Sequence, residues 1–376
     1  MIILICFSVF ITFLYIVLTS YMSWSWLSNT PFRYIPPKKN TLISVIISVR
    51  NEENTVPLLI KDLSKQIYPH FEIIIINDNS TDNTSEVIAN YQKELNLNLH
   101  LLHLGNDSKR VAHKKAAIKL GIEKAKGEII VTTDGDCRVR KNWLRNIHSY
   151  MESTQANLVS SVVMFDKQQN FFEKAQTIDF ASLIATGAAG IRSGYPNMCN
   201  GANLAYKKSV FFEVGGFQGN EHIASGDDEF LMHKIYKKYP KSVQFLKDPA
   251  TIVSTTAQPT LKSFFQQRKR WGSKWNAYQN WSAKFLAIFI YLFHLSFSLS
   301  FVLMLFGLYP PSVFLVQFVL KLCVELVFLS GILKLYNKVN YLLLVPLVGL
   351  IYPVYILFIG LFTSVGSYHW KERVVN

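Results

Sequence analysis

The stretch Val131-Thr-Thr-Asp-Gly-Asp-Cys137 marks the end of a predicted strand near the middle of the α/β part of this 376-residue chain. Residues 128–133 are mainly β-branched and apolar and follow a glycine, which is typical of a buried strand. The strand ends at Asp134-Gly135-Asp136, where two carboxylates can face one hard cation such as Mg²⁺ or Mn²⁺. An ordinary Asp-Gly turn is the alternative explanation, so the rest of the chain must decide between the two.

Strands and helices alternate around this stretch. Apolar strands are predicted at residues 42–48, 71–76 and 99–104, and helices at 55–66, 85–90 and 114–126. This alternation predicts an α/β domain with a mainly parallel sheet. Ligands of such sheets bind outside the carboxyl ends of the strands, and Arg50, Asp78 and Asp134 fall at such ends.

Two common nucleotide-binding motifs are absent from the sequence. It contains neither Gly-x-Gly-x-x-Gly nor a Walker lysine loop, so dinucleotide and P-loop chemistry are not indicated. A nucleotide held by carboxylates and a metal, without a glycine-rich loop, stays compatible with the sequence.

Long apolar runs near both ends of the chain predict membrane spans. No charged residue occurs before Arg33, from 285 to 320, or from 339 to 370. A span needs about 20 apolar residues, so spans are predicted near residues 2–22, 286–308, 313–333 and 341–366. The first could be a cleaved signal peptide, but it lacks a basic start, which favours a retained anchor. The last segment contains two prolines, so a kinked or re-entrant segment is the alternative to a regular span there.

The predicted organisation has four parts. An N-terminal anchor occupies 1–30, an α/β domain 31–255, an interfacial amphipathic segment 256–285 and a membrane region with about three spans 286–376.

The charge of the chain indicates its partners. Its formal net charge is +14, and a basic domain beside a membrane favours anionic lipids and anionic substrates such as nucleotides. Basic residues at 33–39 follow the first span and place the domain on the cytoplasmic side. Nucleic-acid binding is the rival explanation, but no nucleic-acid motif is present. The four cysteines show no paired spacing, which fits a reducing compartment.

Three later stretches also carry polar residues. Residues 200–206 lead through two lysines to Val214-Gly-Gly-Phe217, whose glycine pair indicates a turn. Gly226-Asp-Asp-Glu begins a predicted helix, where the helix dipole favours acidic residues, so a cap alone would explain them. Gln267-Arg-Lys-Arg-Trp271 lies among basic and aromatic residues before a span, which is typical of an interfacial helix and could be a simple anchor.

Together these stretches resemble the membrane-bound processive glycosyltransferases of family 2. That group includes cellulose, chitin-oligomer, hyaluronan and poly-N-acetylglucosamine synthases. The resemblance covers roughly residues 40–285. It implies a GT-A fold that binds a nucleotide-diphosphate sugar, with UDP as the expected nucleotide.

The resemblance assigns donor-binding roles residue by residue. Asp78 resembles the aspartate that contacts the nucleotide base. Asp134 and Asp136 resemble the motif that binds the metal and the diphosphate. Lys114 resembles the lysine of a Gly-Lys-Ala stretch. The chain departs from that stretch at His113, where Gly is usual, and at Lys119, where Asn is usual.

The same resemblance assigns the base and the acceptor site. Asp228 resembles the catalytic base of a Thr-Glu-Asp motif, which reads Gly-Asp-Asp in this chain. Gln267, Arg270 and Trp271 match Gln-x-x-Arg-Trp in full, a motif expected to bind the acceptor.

The implied function is an inverting transfer of a sugar to a growing glycan or a membrane-associated acceptor, with Mg²⁺ or Mn²⁺ as cofactor. The implied location is the inner membrane, in contact with membrane lipids, with no nucleic-acid partner. A ceramide-type enzyme that adds one sugar to a lipid is an alternative. A non-catalytic membrane scaffold is a further one, against which Asp136, Asp228 and the complete Gln-x-x-Arg-Trp argue.

Overall fold

The computed structural model describes residues 2–105, 112–274, 277 and 280–362, and the backbone of 368–370 and 373–375. Parts of the predicted interfacial segment (275–276 and 278–279) and the end of the predicted last span (363–366) lie outside the described residues. The chain divides into two compact units. The sheet unit comprises 30–167, 196–257 and 367–376, and the helical unit comprises 1–29, 168–195 and 258–366.

Helices and strands are numbered in chain order. The helices are α1 (Ile2–Ser28), α2 (Val56–Leu63), α3 (Thr84–Glu94), α4 (His113–Lys124), α5 (Trp143–Thr154), α6 (Phe171–Arg192), α7 (Lys208–Glu213), α8 (Asp227–Lys238), α9 (Leu261–Gly272), α10 (Trp281–Leu305), α11 (Pro311–Leu335) and α12 (Val345–Phe362). The strands are β1 (Ile43–Val49), β2 (Phe71–Asn77), β3 (Leu99–His103), β4 (Ile129–Asp134), β5 (Leu158–Ser161), β6 (Val163–Asp166), β7 (Leu204–Lys207), β8 (Val243–Leu246), β9 (Val253–Thr256), β10 (Tyr368–Trp370) and β11 (Arg373–Val375).

A seven-stranded sheet forms the centre of the sheet unit. Its order is β3-β2-β1-β4-β7-β5-β8, and β7 alone among these strands runs antiparallel to its neighbours. β1 reads Ile-Ser-Val-Ile-Ile-Ser-Val and is almost entirely buried, as expected of a strand covered on both faces. The predicted α/β class with a mainly parallel sheet is confirmed.

The register of the parallel strands brings their carboxyl ends to one edge. Ser48 of β1 pairs with Ile76 of β2 and with Asp134 of β4. The polar residues that end or follow these strands therefore share an edge, where ligands of open α/β sheets bind.

The helical unit contains the apolar helices. Four helical segments among the described residues are long and apolar enough to cross a membrane: Ile2–Ser28, Trp281–Leu305, Pro311–Leu335 and Val339–Phe362. These helices overlap the four predicted spans, and their described ends lie within about six residues of the predicted ones. Helix α6 packs on α1 and α11 within this unit, a placement for which the sequence offered no signal.

Candidate active site

The carboxyl edge of the sheet is held together by backbone and arginine contacts. The Asp78 N–H donates to the carbonyl of Val49 at 2.9 Å. Arg50 Nη1 donates to the carbonyls of Asp78 at 3.0 Å and Asn79 at 2.6 Å. The loops after β1 and β2 are thus tied to each other, which fixes the position of the buried Asp78.

The Asp-Gly-Asp turn follows β4 directly. Asp134 is the last residue of the strand, and the Cys137 N–H donates to its carbonyl at 3.1 Å, which closes the turn. Gly135 has no room for a side chain, because an added Cβ would lie 1.8 Å from Glu52 Oε2 and 2.7 Å from Val49 Cγ1. The glycine therefore lets the two aspartates stand one residue apart against the loop after β1.

Ligand atoms of Asp134, Asp136 and Cys137 lie within 4.8 Å of one another. Burial, and then the charges of the two aspartates, raise the pKa of the Cys137 thiol well above its usual range. A protonated, soft sulfur is a poor ligand for a hard cation, whereas two carboxylates suit Mg²⁺ or Mn²⁺. The residues present therefore fit a divalent cation held by Asp134 and Asp136, with the Asp136 side chain exposed.

Lys114 connects this turn to a second acidic element. Its Nζ lies 2.7 Å from Asp134 Oδ1 and 3.7 Å from Asp227 Oδ2. Burial raises the pKa of Asp227, and the charge of Lys114 opposes that shift. A lysine between two carboxylates supplies positive charge where an anionic leaving group would need it.

Asp228 begins helix α8 and is held by two backbone donors. Its Oδ2 accepts from the Gly201 N–H and its Oδ1 from the Glu229 N–H, both at 2.8 Å. The side chain is only half-buried. Each carboxylate oxygen has further acceptor capacity, so a fixed, solvent-accessible carboxylate stands where the resemblance expects a base.

Asp78 has a side-chain partner in helix α4. His113 Nδ1 lies 3.1 Å from Asp78 Oδ1, and the aspartate is almost fully buried. His113 stands where the lysine motif usually has Gly. It thus contacts Asp78, the aspartate that the resemblance assigns to the nucleotide base.

Gln267, Arg270 and Trp271 lie on α9 in the helical unit. A capping box between Thr260 and Ser263 starts the helix. Trp271 is half-buried, with Phe180 at 5.9 Å between ring centroids.

The structure thus brings Lys114 and Asp134 into contact and sets Asp136 beside them, all in the sheet unit. Asp227, which the sequence analysis did not place in the site, joins this group through Lys114. Its only sequence signal was adjacency to Asp228. Gly201 had no assigned role in the sequence, although its N–H donates to the Asp228 carboxylate.

Comparison with known proteins finds a family model and several relatives that resemble part of this chain. Residues 44–217 match the family described as glycosyl transferase family 2. The poly-β-1,6-N-acetyl-D-glucosamine synthase of Staphylococcus epidermidis is 26% identical over 234 residues, which are 61% of this chain and 53% of that protein. The β-monoglucosyldiacylglycerol synthase of a Nostoc species is 24% identical over 232 residues, 61% of this chain and 48% of that protein.

The fold has a solved relative. The mannosyltransferase PcManGT of Pyrobaculum calidifontis, in complex with GDP-Man and Mn²⁺, superposes with a TM-score of 0.56 at 16% identity, over 96% of this chain and 97% of that one. The fold is GT-A-like, and residues 44–217, somewhat less than half of the chain, match the model of glycosyl transferase family 2. The chain matches about half the length of the two synthases.

Proposed function

We propose that the protein is a membrane glycosyltransferase that moves a sugar from a UDP-sugar to a glycan acceptor. The observation that carries this proposal is the group of Asp134, Asp136 and Lys114 at the carboxyl edge of the sheet. Asp228, in the first turn of α8, is fixed by the Gly201 and Glu229 N–H groups. Poly-N-acetylglucosamine synthase as a relative supports the glycan acceptor.

The donor side of the reaction falls to residues at the strand ends. Asp78 binds the nucleotide base, Asp134 and Asp136 hold the divalent cation, and Lys114 stabilises the diphosphate. A bound cation supplies further positive charge to the leaving diphosphate. The fold neighbour contains Mn²⁺ together with a nucleotide sugar, which supports a divalent cation without choosing between Mg²⁺ and Mn²⁺.

Asp228 is the proposed base. Its carboxylate takes the proton of the acceptor hydroxyl as the oxygen attacks the anomeric carbon. Attack opposite the departing diphosphate inverts that carbon. Asp227 is a weaker candidate, because its side chain is engaged by Lys114.

Gln267, Arg270 and Trp271 are the proposed acceptor site, since an aromatic face stacks on a sugar ring and the other two side chains donate hydrogen bonds. We expect Trp271→Ala to slow transfer while UDP binding survives. A large loss of UDP affinity in this variant would make the motif part of the donor site instead.

A lipid acceptor is the second candidate function. The glycolipid synthase from Nostoc covers the same share of this chain as the polysaccharide synthase does. Product size separates the two, since a single addition yields a glycolipid and repeated addition yields a polymer.

The proposed location is the inner membrane, with the sheet unit in the cytoplasm against anionic lipid. With the sheet unit in the cytoplasm, four full spans would put the C-terminus outside. Residues 371–373 are Lys-Glu-Arg, and basic residues usually lie on the cytoplasmic side, so this topology runs against the positive-inside trend. A reporter fused after Asn376 tests this topology, and activity only in the cytosol would overturn it.

The proposal is tested by UDP release from the purified full-length protein with a panel of UDP-sugars and either cation. We expect one UDP-sugar to support cation-dependent release and a glycan product by mass analysis. No release with any nucleotide sugar, from protein that still binds UDP, would contradict the proposal.

A further inference from the structure

A buried arginine lies inside the Gln-x-x-Arg-Trp motif, at a position the motif leaves open. Arg268 is only 4% exposed, and its guanidinium lies over the ring of Trp271 at 4.3 Å and that of Phe264 at 4.7 Å. A cation at this distance from a ring face is attracted by the ring and restricts its orientation. The tryptophan of the motif thus has a charged neighbour on its own helix.

The arginine is held by a buried carboxylate on another helix of the same unit. Arg268 Nη2 donates to Asp179 Oδ2 on α6. The second oxygen of Asp179 accepts from Tyr352 Oη on α12 at 3.1 Å. Three helices therefore meet at one carboxylate, and both of its oxygens are used.

This arrangement does more than join helices. Burying an ion pair is costly, and apolar side chains of similar size join helices at least as well. What the pair adds is a fixed direction for the guanidinium, and that group faces the Trp271 ring. Phe180, one residue after Asp179, reaches the same indole.

We propose that Asp179, Arg268 and Tyr352 are positioning residues that set the orientation of the Trp271 ring for acceptor binding. The inference rests on the acceptor role given to Trp271 in the proposed function. None of the three needs to touch the substrate, since each acts through the guanidinium that lies over the indole.

The test follows the ring itself. The full-length protein is labelled with 5-fluorotryptophan, and the Trp271 signal is assigned with Trp271→Phe by ¹⁹F NMR. Asp179→Asn and the milder Tyr352→Phe should shift or broaden this signal while that of Trp26, in α1 of the same unit, stays in place. Tyr291→Phe is the matched control, because it also removes a tyrosine hydroxyl, from α10 instead of α12. We expect it to change neither signal.

Activity and UDP binding are measured on the same variants. We expect UDP release in native membranes to fall about tenfold in Asp179→Asn and about threefold in Tyr352→Phe, since a hydrogen bond to a charged group is lost or weakened. Affinity for UDP should stay within about twofold, because the donor residues are elsewhere. Asp179→Glu keeps the charge and should recover part of the lost activity.

Two outcomes separate the inference from the proposed function. An unmoved Trp271 signal in both Asp179→Asn and Tyr352→Phe would overturn the inference, whatever Trp271 does. Full activity of Trp271→Ala would instead remove the acceptor role, while the NMR result still decides whether the three residues orient the ring.

Discussion

One set of charged side chains in each unit is satisfied in a different way. In the sheet unit, Asp136 is exposed and Asp228 is half-buried with backbone N–H groups as partners. In the helical unit, Lys321 is buried and pairs with Glu325 at 2.8 Å within the predicted third span. Accessible carboxylates can exchange protons and bind ions, whereas buried ion pairs are closed to both. The difference suggests chemistry in the first unit and positioning in the second.

The largest expected effect is the loss of turnover when Asp228 is replaced. Asp228→Asn keeps the shape of the side chain and removes its basicity, so turnover should fall by about 10²–10⁴. UDP-release assays on folded protein check this, with Asp166→Asn, an exposed aspartate of the same unit, as the control. Near-normal turnover would leave Asp228 as a helix cap and point to Asp227 or Glu229 as the base.

The pair in the helical unit should respond through stability. Tyr15 Oη donates to Glu325 Oε1 at 2.7 Å, and Lys321 Nζ donates to the Gly349 carbonyl at 3.4 Å, so the pair is enclosed. Lys321→Leu should cost up to about 3–5 kcal/mol by leaving the half-buried Glu325 without its countercharge. Lys321→Leu with Glu325→Leu should recover most of that loss.

Thermal unfolding in detergent measures these differences, and product length is measured in parallel. A double variant that is stable but makes shorter product would show that the pair lines a route for the product or the acceptor lipid. Full activity and normal product length would confine the pair to a structural role.

The smallest expected effect concerns pH. His148 is buried against Tyr68, with 4.9 Å between ring centroids, and burial lowers the pKa of His148. The pKa of a histidine in the unfolded chain is about 6.5. As the pH falls below that value, the unfolded chain binds a proton at His148 that the folded chain does not bind. The free energy of unfolding therefore declines until the pH reaches the lower pKa of the folded state. Tm should fall by on the order of a few degrees over this window. His148→Gln should make Tm less dependent on pH over this window. An unchanged slope of Tm against pH would assign the decline to other groups.

Much of the fold could be predicted because its signals are local. The apolar strands and the four apolar segments are visible in the sequence, and the rule for parallel sheets then puts Asp78 and Asp134 at one edge. Gly135 shows the limit, because its need for glycine comes from Glu52, 83 positions earlier in the chain.

The same limit applies to the partners of the predicted site residues. Lys114 could be assigned by resemblance, but its contact with Asp227 depends on how α4 and α8 pack on the sheet. Asp179 lies in α6, whose small and apolar residues gave no hint that it pairs with Arg268. Such contacts arise from tertiary packing, which no spacing of residues along the chain encodes.

We expect the carboxylates of the sheet unit to have separate roles, with Asp136 binding the cation and the donor and Asp228 taking the acceptor proton. Calorimetric titration of UDP with Mn²⁺ into Asp136→Ala and Asp228→Asn tests this expectation most directly. We expect Asp136→Ala to lose most of its cation-dependent UDP affinity and Asp228→Asn to bind UDP within a small factor of the unchanged protein. Equal losses of UDP affinity in the two variants would contradict this division of roles between Asp136 and Asp228.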